Sequence, residues 1–98
     1  MLVRIVQMTF EAANIPVFLA FFESRKHTIR AFDGCKHLEL WQDKDNPAII
    51  FTYSIWDNEA ALNHYRFSQF FKETWTTTKT LFADQPKAWS VNRLAVLD

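Results

Sequence analysis

Phe51 to Trp75 reads FTYSIWDNEAALNHYRFSQFFKETW. The first six residues are mostly β-branched or aromatic and read as the end of a strand that closes on Trp56. Asp57 follows as a candidate helix cap, and a short helix is predicted from Asn58 to about Arg66. Ser68 can cap a second, longer helix running to Phe82, with Phe71, Trp75 and Phe82 near one stripe.

Working outward, this strand begins at Ala48 (AIIFTYSIW). A tight polar turn, Asp43-Lys44-Asp45-Asn46-Pro47, separates it from another β-rich run, Cys35 to Gln42 (CKHLELWQ). So short a connection predicts a hairpin. Upstream, Leu2 to Phe10 (LVRIVQMTF) reads as a strand. Asn14-Ile15-Pro16 then opens a helix: Asn14 can cap it, and Pro16 sits in the first turn, where a missing N–H costs nothing. Ile15, Phe18, Leu19, Phe22 and Ile29 recur at helical spacing. Asp33-Gly34 stops the helix, and the sole glycine takes the turn after it. Downstream, Asp84-Gln85-Pro86 breaks the long helix and Lys87 to Leu97 reads as a fourth strand.

The order β-α-β-β-α-β predicts an α+β, ferredoxin-like βαββαβ sandwich. Its four-stranded antiparallel sheet carries the helices on one face, because right-handed crossovers put both on the same side. The strands are more apolar than such a sheet needs. Along Ala48–Trp56 one face reads Ile49, Phe51, Tyr53, Ile55 and the other Ile50, Thr52, Ser54, Trp56. The first strand splits into Val3, Ile5, Gln7, Thr9 and Leu2, Arg4, Val6, Met8, Phe10. A half-solvated sheet alternates cleanly. Here helices can cover only one apolar face, so the other calls for a partner, most simply a second copy packed sheet to sheet.

Composition bounds the function. With 98 residues the chain is one domain, 1–98. A single Gly excludes dinucleotide fingerprints and P-loops. A single Cys, Cys35, excludes an intrachain disulfide and a thiolate zinc site and reads as a buried small hydrophobe. Eleven basic residues balance eleven acidic ones, which argues against nucleic acid as a partner. No apolar run approaches the length of a membrane span, and the N-terminus reads as a strand rather than a leader. The cytoplasm is the default location by exclusion. Ten Phe, four Trp and two Tyr are the conspicuous excess.

The pattern resembles the antibiotic biosynthesis monooxygenase (ABM) family of dimeric α+β barrel proteins over nearly the whole chain. The residues that carry the resemblance are LVRIVQMTF, an FxxFF-type first helix, the block FDGCKHLELWQD, and above all FTYSIWDNEAALNHYRFSQFFKETW. In that last stretch a strand runs through Trp56 to an acidic cap, Ala60-Ala61-Leu62, Tyr65, Ser68 and Phe70-Phe71. The resemblance implies a homodimer whose sheets face each other and a pocket in each subunit between sheet and helices. It implies a range of chemistries: oxygenation of polycyclic aromatics or quinols without metal or flavin, haem degradation, isomerisation of a sugar phosphate, or no turnover.

Cofactor-free oxygenation asks for donors aimed at a substrate anion, exclusion of water and a modest base. Tyr65 stands nine residues after Trp56, where the resemblance implies a pocket-facing His or aromatic, and is the candidate catalytic donor. Arg4, Val6, Met8, Trp56, Phe71 and Trp75 are the candidate substrate pocket; Trp56 and Phe71 read first as core, and Trp75 as core or pocket lining. An Arg inside an apolar strand, as at Arg4 and Arg93, needs a carboxylate or an anionic ligand. Arg4, Arg66 and Arg93 could contribute to a phosphate site, but nothing in the sequence clusters them. His37 and Glu39 share a strand face and can pair, as a base held by a carboxylate or as a surface or cross-dimer pair. His27 reads as solvated and His64 as pointing away from Tyr65. The three His lack metal-ligand spacing, so no metal is expected. Haem is rejected as a substrate. The trio that the resemblance implies for haem degradation falls on Val6, Tyr65 and Trp75, and the last stands where the axial His belongs. The expectation is a cofactor-free monooxygenase of a small aromatic or quinol. The alternative is a non-catalytic binding or structural homodimer.

Overall fold

A computed structural model describes residues 1–98. Its elements are strand β1 (Leu2–Thr9), a 3-10 turn (Ala12–Asn14), helix α1 (Ile15–Arg30), strands β2 (Cys35–Gln42) and β3 (Ile49–Trp56), helices α2 (Glu59–Arg66) and α3 (Gln69–Lys79), and strand β4 (Lys87–Asn92). The four strands form one antiparallel sheet in the order β2-β3-β1-β4, the ferredoxin-like arrangement. β1 and β3 pair along their whole length, Leu2 against Trp56 through Thr9 against Ile49.

This register fixes the two faces. Arg4 lies opposite Ser54 and Ser90, and Val6 opposite Thr52 and Ala88, so these even-numbered positions share the helix-covered face. The odd positions form rows on the other face, notably Glu39–Tyr53–Ile5–Trp89 and Trp41–Phe51–Gln7–Lys87. β2 would be out of phase but for a bulge between Cys35 and His37. The extra residue, Lys36, lets Cys35 oppose Trp56 while Leu38 still opposes Ser54.

Two buried clusters tie helices to sheet. Met8, Phe10, Phe18 and Ile50 form one, and Cys35, Trp56 and Leu62 the other. Trp56 and Phe10 are each only 1% exposed. In the β2–β3 turn, Asp43 Oδ2 accepts from the backbone N–H groups of Asp45 and Asn46, at 3.1 and 2.8 Å.

Several element ends differ from the sequence reading, each for a local reason. Asn14 does not cap with its side chain; it lies in the 3-10 turn, and its Nδ2 donates to the Leu81 carbonyl at 3.4 Å. The cap of α2 is Asn58, not Asp57: Asn58 Oδ1 accepts from Ala61 N–H at 2.9 Å. Ser68 does cap α3, accepting from Phe71 N–H at 3.1 Å. α3 ends at Lys79 rather than Phe82, because the run Thr76-Thr77-Thr78 is β-branched and the following N–H groups bond three residues back. Phe82 is then drawn to the sheet edge as an isolated bridge to Phe10. β4 stops at Asn92 rather than Leu97 because Asn92 pairs with Leu2, the first residue of β1. Arg93 therefore lies outside the strand and needs no buried partner.

Candidate functional site

A cavity of about 280 Å³ opens between the even-numbered sheet face and the helices. The sheet supplies Arg4, Val6, Met8, Leu38, Thr52, Ser54 and Trp56; α1 supplies Phe18, Phe22, Arg25 and Ile29; α2 supplies Leu62, Tyr65 and Arg66; α3 supplies Phe71, Thr74, Trp75 and Thr78. All seven candidate residues, Arg4, Val6, Met8, Trp56, Tyr65, Phe71 and Trp75, therefore line one space. Helical spacing explains much of the wall: Phe18, Phe22, Arg25 and Ile29 share one stripe of α1, and Phe71, Trp75 and Thr78 one stripe of α3.

The aromatic wall is continuous. Trp56 stacks on Tyr65 (ring centroids 5.2 Å apart), which meets Phe71 edge-on (5.1 Å), and Phe71 lies parallel to Trp75 (6.0 Å). Behind the wall, Phe82 and Phe10, which do not line the cavity, link Trp75 to Phe18: Trp75 meets Phe82 (5.6 Å), Phe82 meets Phe10 (5.3 Å), and Phe10 stacks on Phe18 (4.3 Å). Trp56 is both core and wall. Its Nε1–H donates to Ser54 Oγ at 2.9 Å, so the buried indole is satisfied and rigid.

The polar groups sort into committed and free. The Thr74 and Thr78 hydroxyls donate back to the carbonyls of Phe70 and Thr74, each at 2.8 Å. The Tyr65 phenol has no such partner: the residue's side-chain-mediated bond is made by its carbonyl, which accepts from Ser68 Oγ at 2.6 Å. No fully buried side-chain oxygen or nitrogen lacks a partner, so the phenol oxygen is within reach of cavity solvent. Burial raises the Tyr65 phenol far above the ordinary tyrosine range, with nearby Cys35 adding to the effect. A phenol so disfavoured as an anion is a hydrogen-bond donor here, not a base.

Three arginines line the cavity, Arg4, Arg25 and Arg66, and no Asp, Glu or His does. Sequence reading left Arg4, Arg66 and Arg93 unclustered; the fold joins Arg4 and Arg66 and leaves Arg93 out. The sequence reading did not single out Arg25, although the spacing from Phe18 and Phe22 to Ile29 passes through it. Arg25 stacks on the rings of Phe21 and Phe70, its guanidinium carbon 5.1 and 5.0 Å from their centres. Arg4 donates through Nη1 to Ser90 Oγ at 3.0 Å. Burial, and after it the charge of Arg66, lowers its affinity for its proton.

The histidines lie elsewhere. His37 does pair with Glu39, and Trp41 Nε1 donates to the same carboxylate at 2.8 Å, but all three sit on the exposed odd-numbered face. These two hydrogen bonds, Trp41's first, hold the Glu39 carboxyl below the ordinary range. His64 and His27 are exposed. Cys35 is buried, and burial raises its thiol. No group of His, Cys, Asp and Glu side chains could hold a metal ion. No helix is long and apolar enough to cross a membrane.

A family model described as antibiotic biosynthesis monooxygenase matches residues 1–76. No curated protein matches the sequence. Among solved structures, one of an antibiotic biosynthesis monooxygenase superposes with a TM-score of 0.90 at 17% identity, covering 97% of this chain and all of the other. A conserved protein from Methanosarcina mazei Go1 gives 0.88 at 18% identity, covering 95% of this chain and 93% of its own. A variant of SnoaB, a cofactor-independent oxygenase from Streptomyces nogalater, gives 0.88 at 14% identity, covering 98% and 95%. At these identities the likeness is one of fold.

Proposed function

The chain belongs to the antibiotic biosynthesis monooxygenase family, and from that premise we propose that it is a cofactor-independent monooxygenase of a small aromatic or quinol-type substrate. The observation that carries this reading is the aromatic-walled cavity whose lining includes Tyr65, with its unbonded phenol, and Arg4. Residues 1–98 act as one such domain: the family match ends at residue 76, and β4 completes the sheet beyond it.

The reaction asks little of the protein. A bound phenol or anthrone loses a proton, and its anion passes one electron to O₂. The substrate radical and superoxide then join through a new C–O bond, the peroxide anion takes a proton back from solvent, and the hydroperoxide breaks its O–O bond and loses the remaining hydrogen of that carbon as water to leave a carbonyl. One oxygen atom stays in the product and one leaves as water; all four electrons come from the substrate. Tyr65 donates a hydrogen bond to the oxygen on which negative charge develops, Arg4 favours the anion by charge, and the rings of Trp56, Phe71 and Trp75 hold the substrate plane and keep water out.

A second reading rests on a specific observation. The wall carries no carboxylate or imidazole to take the first proton, so the same cavity also suits a protein that binds the aromatic without converting it. In the enzyme reading the proton passes to solvent from a substrate already acidified by the site. Oxygen uptake decides between them. With a panel of anthrones and naphthalene quinols, the enzyme consumes one O₂ per substrate above the protein-free rate. Saturable binding without such uptake leaves a binding protein.

We further propose a homodimer formed through the odd-numbered face of the sheet, where Trp41, Trp89 and Val91 are 39%, 44% and 42% exposed. The cytoplasm suits a chain whose one cysteine is an unpaired buried thiol.

A further inference from the structure

The cavity holds more positive charge than a neutral phenol calls for. Arg4, Arg25 and Arg66 line it, and no carboxylate does. The ion pairs of the molecule, Lys26–Glu23, Lys36–Asp57, Lys44–Asp45 and His37–Glu39, include no arginine. Arg25 is occupied, held against the rings of Phe21 and Phe70. Arg4 and Arg66 are not. Arg4 has one bond, to the neutral Ser90 hydroxyl, which leaves most of its guanidinium donors free. The two are close enough for the charge of Arg66 to act on Arg4, and both are partly buried.

Two cations held together in a half-buried apolar wall are a net cost to the free protein. A phenol relieves it only after losing its proton, so the enzyme–substrate complex would keep both charges uncompensated. A ligand that arrives charged relieves it on binding, and guanidinium forks match the planar oxygens of a carboxylate or the tetrahedral oxygens of a phosphate. The volume, about 280 Å³, sits at the small end for ligand sites and suits one or two fused rings with one such group.

We infer that the ligand of this cavity is an aromatic molecule bearing a permanent anionic oxygen group, a carboxylate or phosphate, clamped between Arg4 and Arg66. Tyr65 is thereby left to the phenolic oxygen, and the ring lies along Trp56, Phe71 and Trp75. The inference rests on the reading of the cavity as the substrate site, and it deepens that reading from any small aromatic to an anionic one.

The test is equilibrium binding by calorimetry with three probes that share one ring system: 2-naphthoate, 2-naphthyl phosphate and uncharged 2-naphthamide. The wild type should bind at least one of the two anions about tenfold or more tightly than the amide, and the preference should shrink as salt is raised. Arg4→Gln and Arg66→Gln should each remove most of that preference by weakening the anions far more than the amide, and an unchanged melting temperature reports that each variant is folded. Equal affinity for amide and anions, or an anion preference that survives in the double variant, overturns the anionic clamp and leaves the aromatic cavity standing. If none of the three binds, the reading of the cavity as a ligand site fails, and the clamp with it.

Discussion

At the scale of single residues, the site turns on what each polar group can still do. Tyr65 is the one side chain whose free hydroxyl, aromatic stacking and cavity exposure coincide. Tyr65→Phe keeps the ring against Trp56 and removes only the donor. Losing one well-aimed donor from a dry site lowers the rate by about 10²–10³, so oxygen uptake should fall by that factor with little change in melting temperature. An unchanged rate would take Tyr65 out of the mechanism. The same variant carries a pH signature. The folded phenol holds its proton well above the ordinary value near 10, whereas the unfolded chain releases it there. Above about pH 10 the native state therefore binds more protons than the unfolded one, and stability falls as pH rises, by up to about 1.4 kcal/mol per unit from this group. Urea melts between pH 8 and 11 should show a steeper loss for wild type than for Tyr65→Phe. Parallel slopes would mean that the phenol is no more buried than in the unfolded chain.

At the scale of elements, the sequence announced the strands through β-branched and aromatic runs, and the helices through Pro16, Ser68 and apolar spacing. The fold-defining stretch from Phe51 to Trp75 was legible because strand, cap and helix signals follow one another without a gap. What stayed hidden was relational. Whether Asp57 or Asn58 caps α2 depends on chain direction at one residue, and the end of β4 at Asn92 depends on where β1 begins at Leu2, at the other end of the chain. Arg4 and Arg66 could not be joined without knowing that α2 lies over the even-numbered face. One residue couples these local and distant requirements. Gly34 takes φ +83°, and a Cβ there would come within 2.4 Å of Ala61 Cβ. Its carbonyl also accepts from Asp57 N–H at 2.8 Å, fixing the step from β3 into α2. Gly34→Ala meets both a left-handed backbone and a clash with α2, a combined cost of about 2–4 kcal/mol. Ala61→Gly in the same chain should recover the clash and not the backbone share, so thermal or urea melts of the cycle separate the two. A Gly34→Ala loss no larger than the backbone share of about 1–2 kcal/mol, with nothing for Ala61→Gly to recover, would show that α2 shifts freely, and with it Tyr65 and Arg66.

At the scale of the whole molecule, the sheet has one face committed to helices and cavity and a second, here the bare face, that is buried at Val3 and Ile55 but open at Trp41, Trp89 and Val91. The bare face is aromatic and ordered. Trp41 stacks on Tyr53 with ring centroids 4.7 Å apart, His37 meets Tyr53 edge-on at 6.1 Å, and Trp41 is tilted against Phe51 at 6.4 Å. Beyond β4, Leu94 and Leu97 in the tail are 94% and 92% exposed. The proposed dimer rests on this aromatic patch. The rows also show which substitution tests it. Val3 is already 6% exposed in the single chain, so a charge there strikes the fold directly. Ile5 is only half-buried, between Tyr53 and Trp89 at the middle of the bare face, and a charge there can still reach water in a monomer. Sedimentation of the wild type at micromolar concentration should give about twice the chain mass of 11.6 kDa. Ile5→Lys should lower that mass toward one chain. Where folding depends on association, its melting temperature should also become lower and strongly dependent on protein concentration. Retention of the full dimer mass by Ile5→Lys would place the interface elsewhere, and a wild-type chain that sediments as a stable monomer would leave this aromatic face free for a different partner.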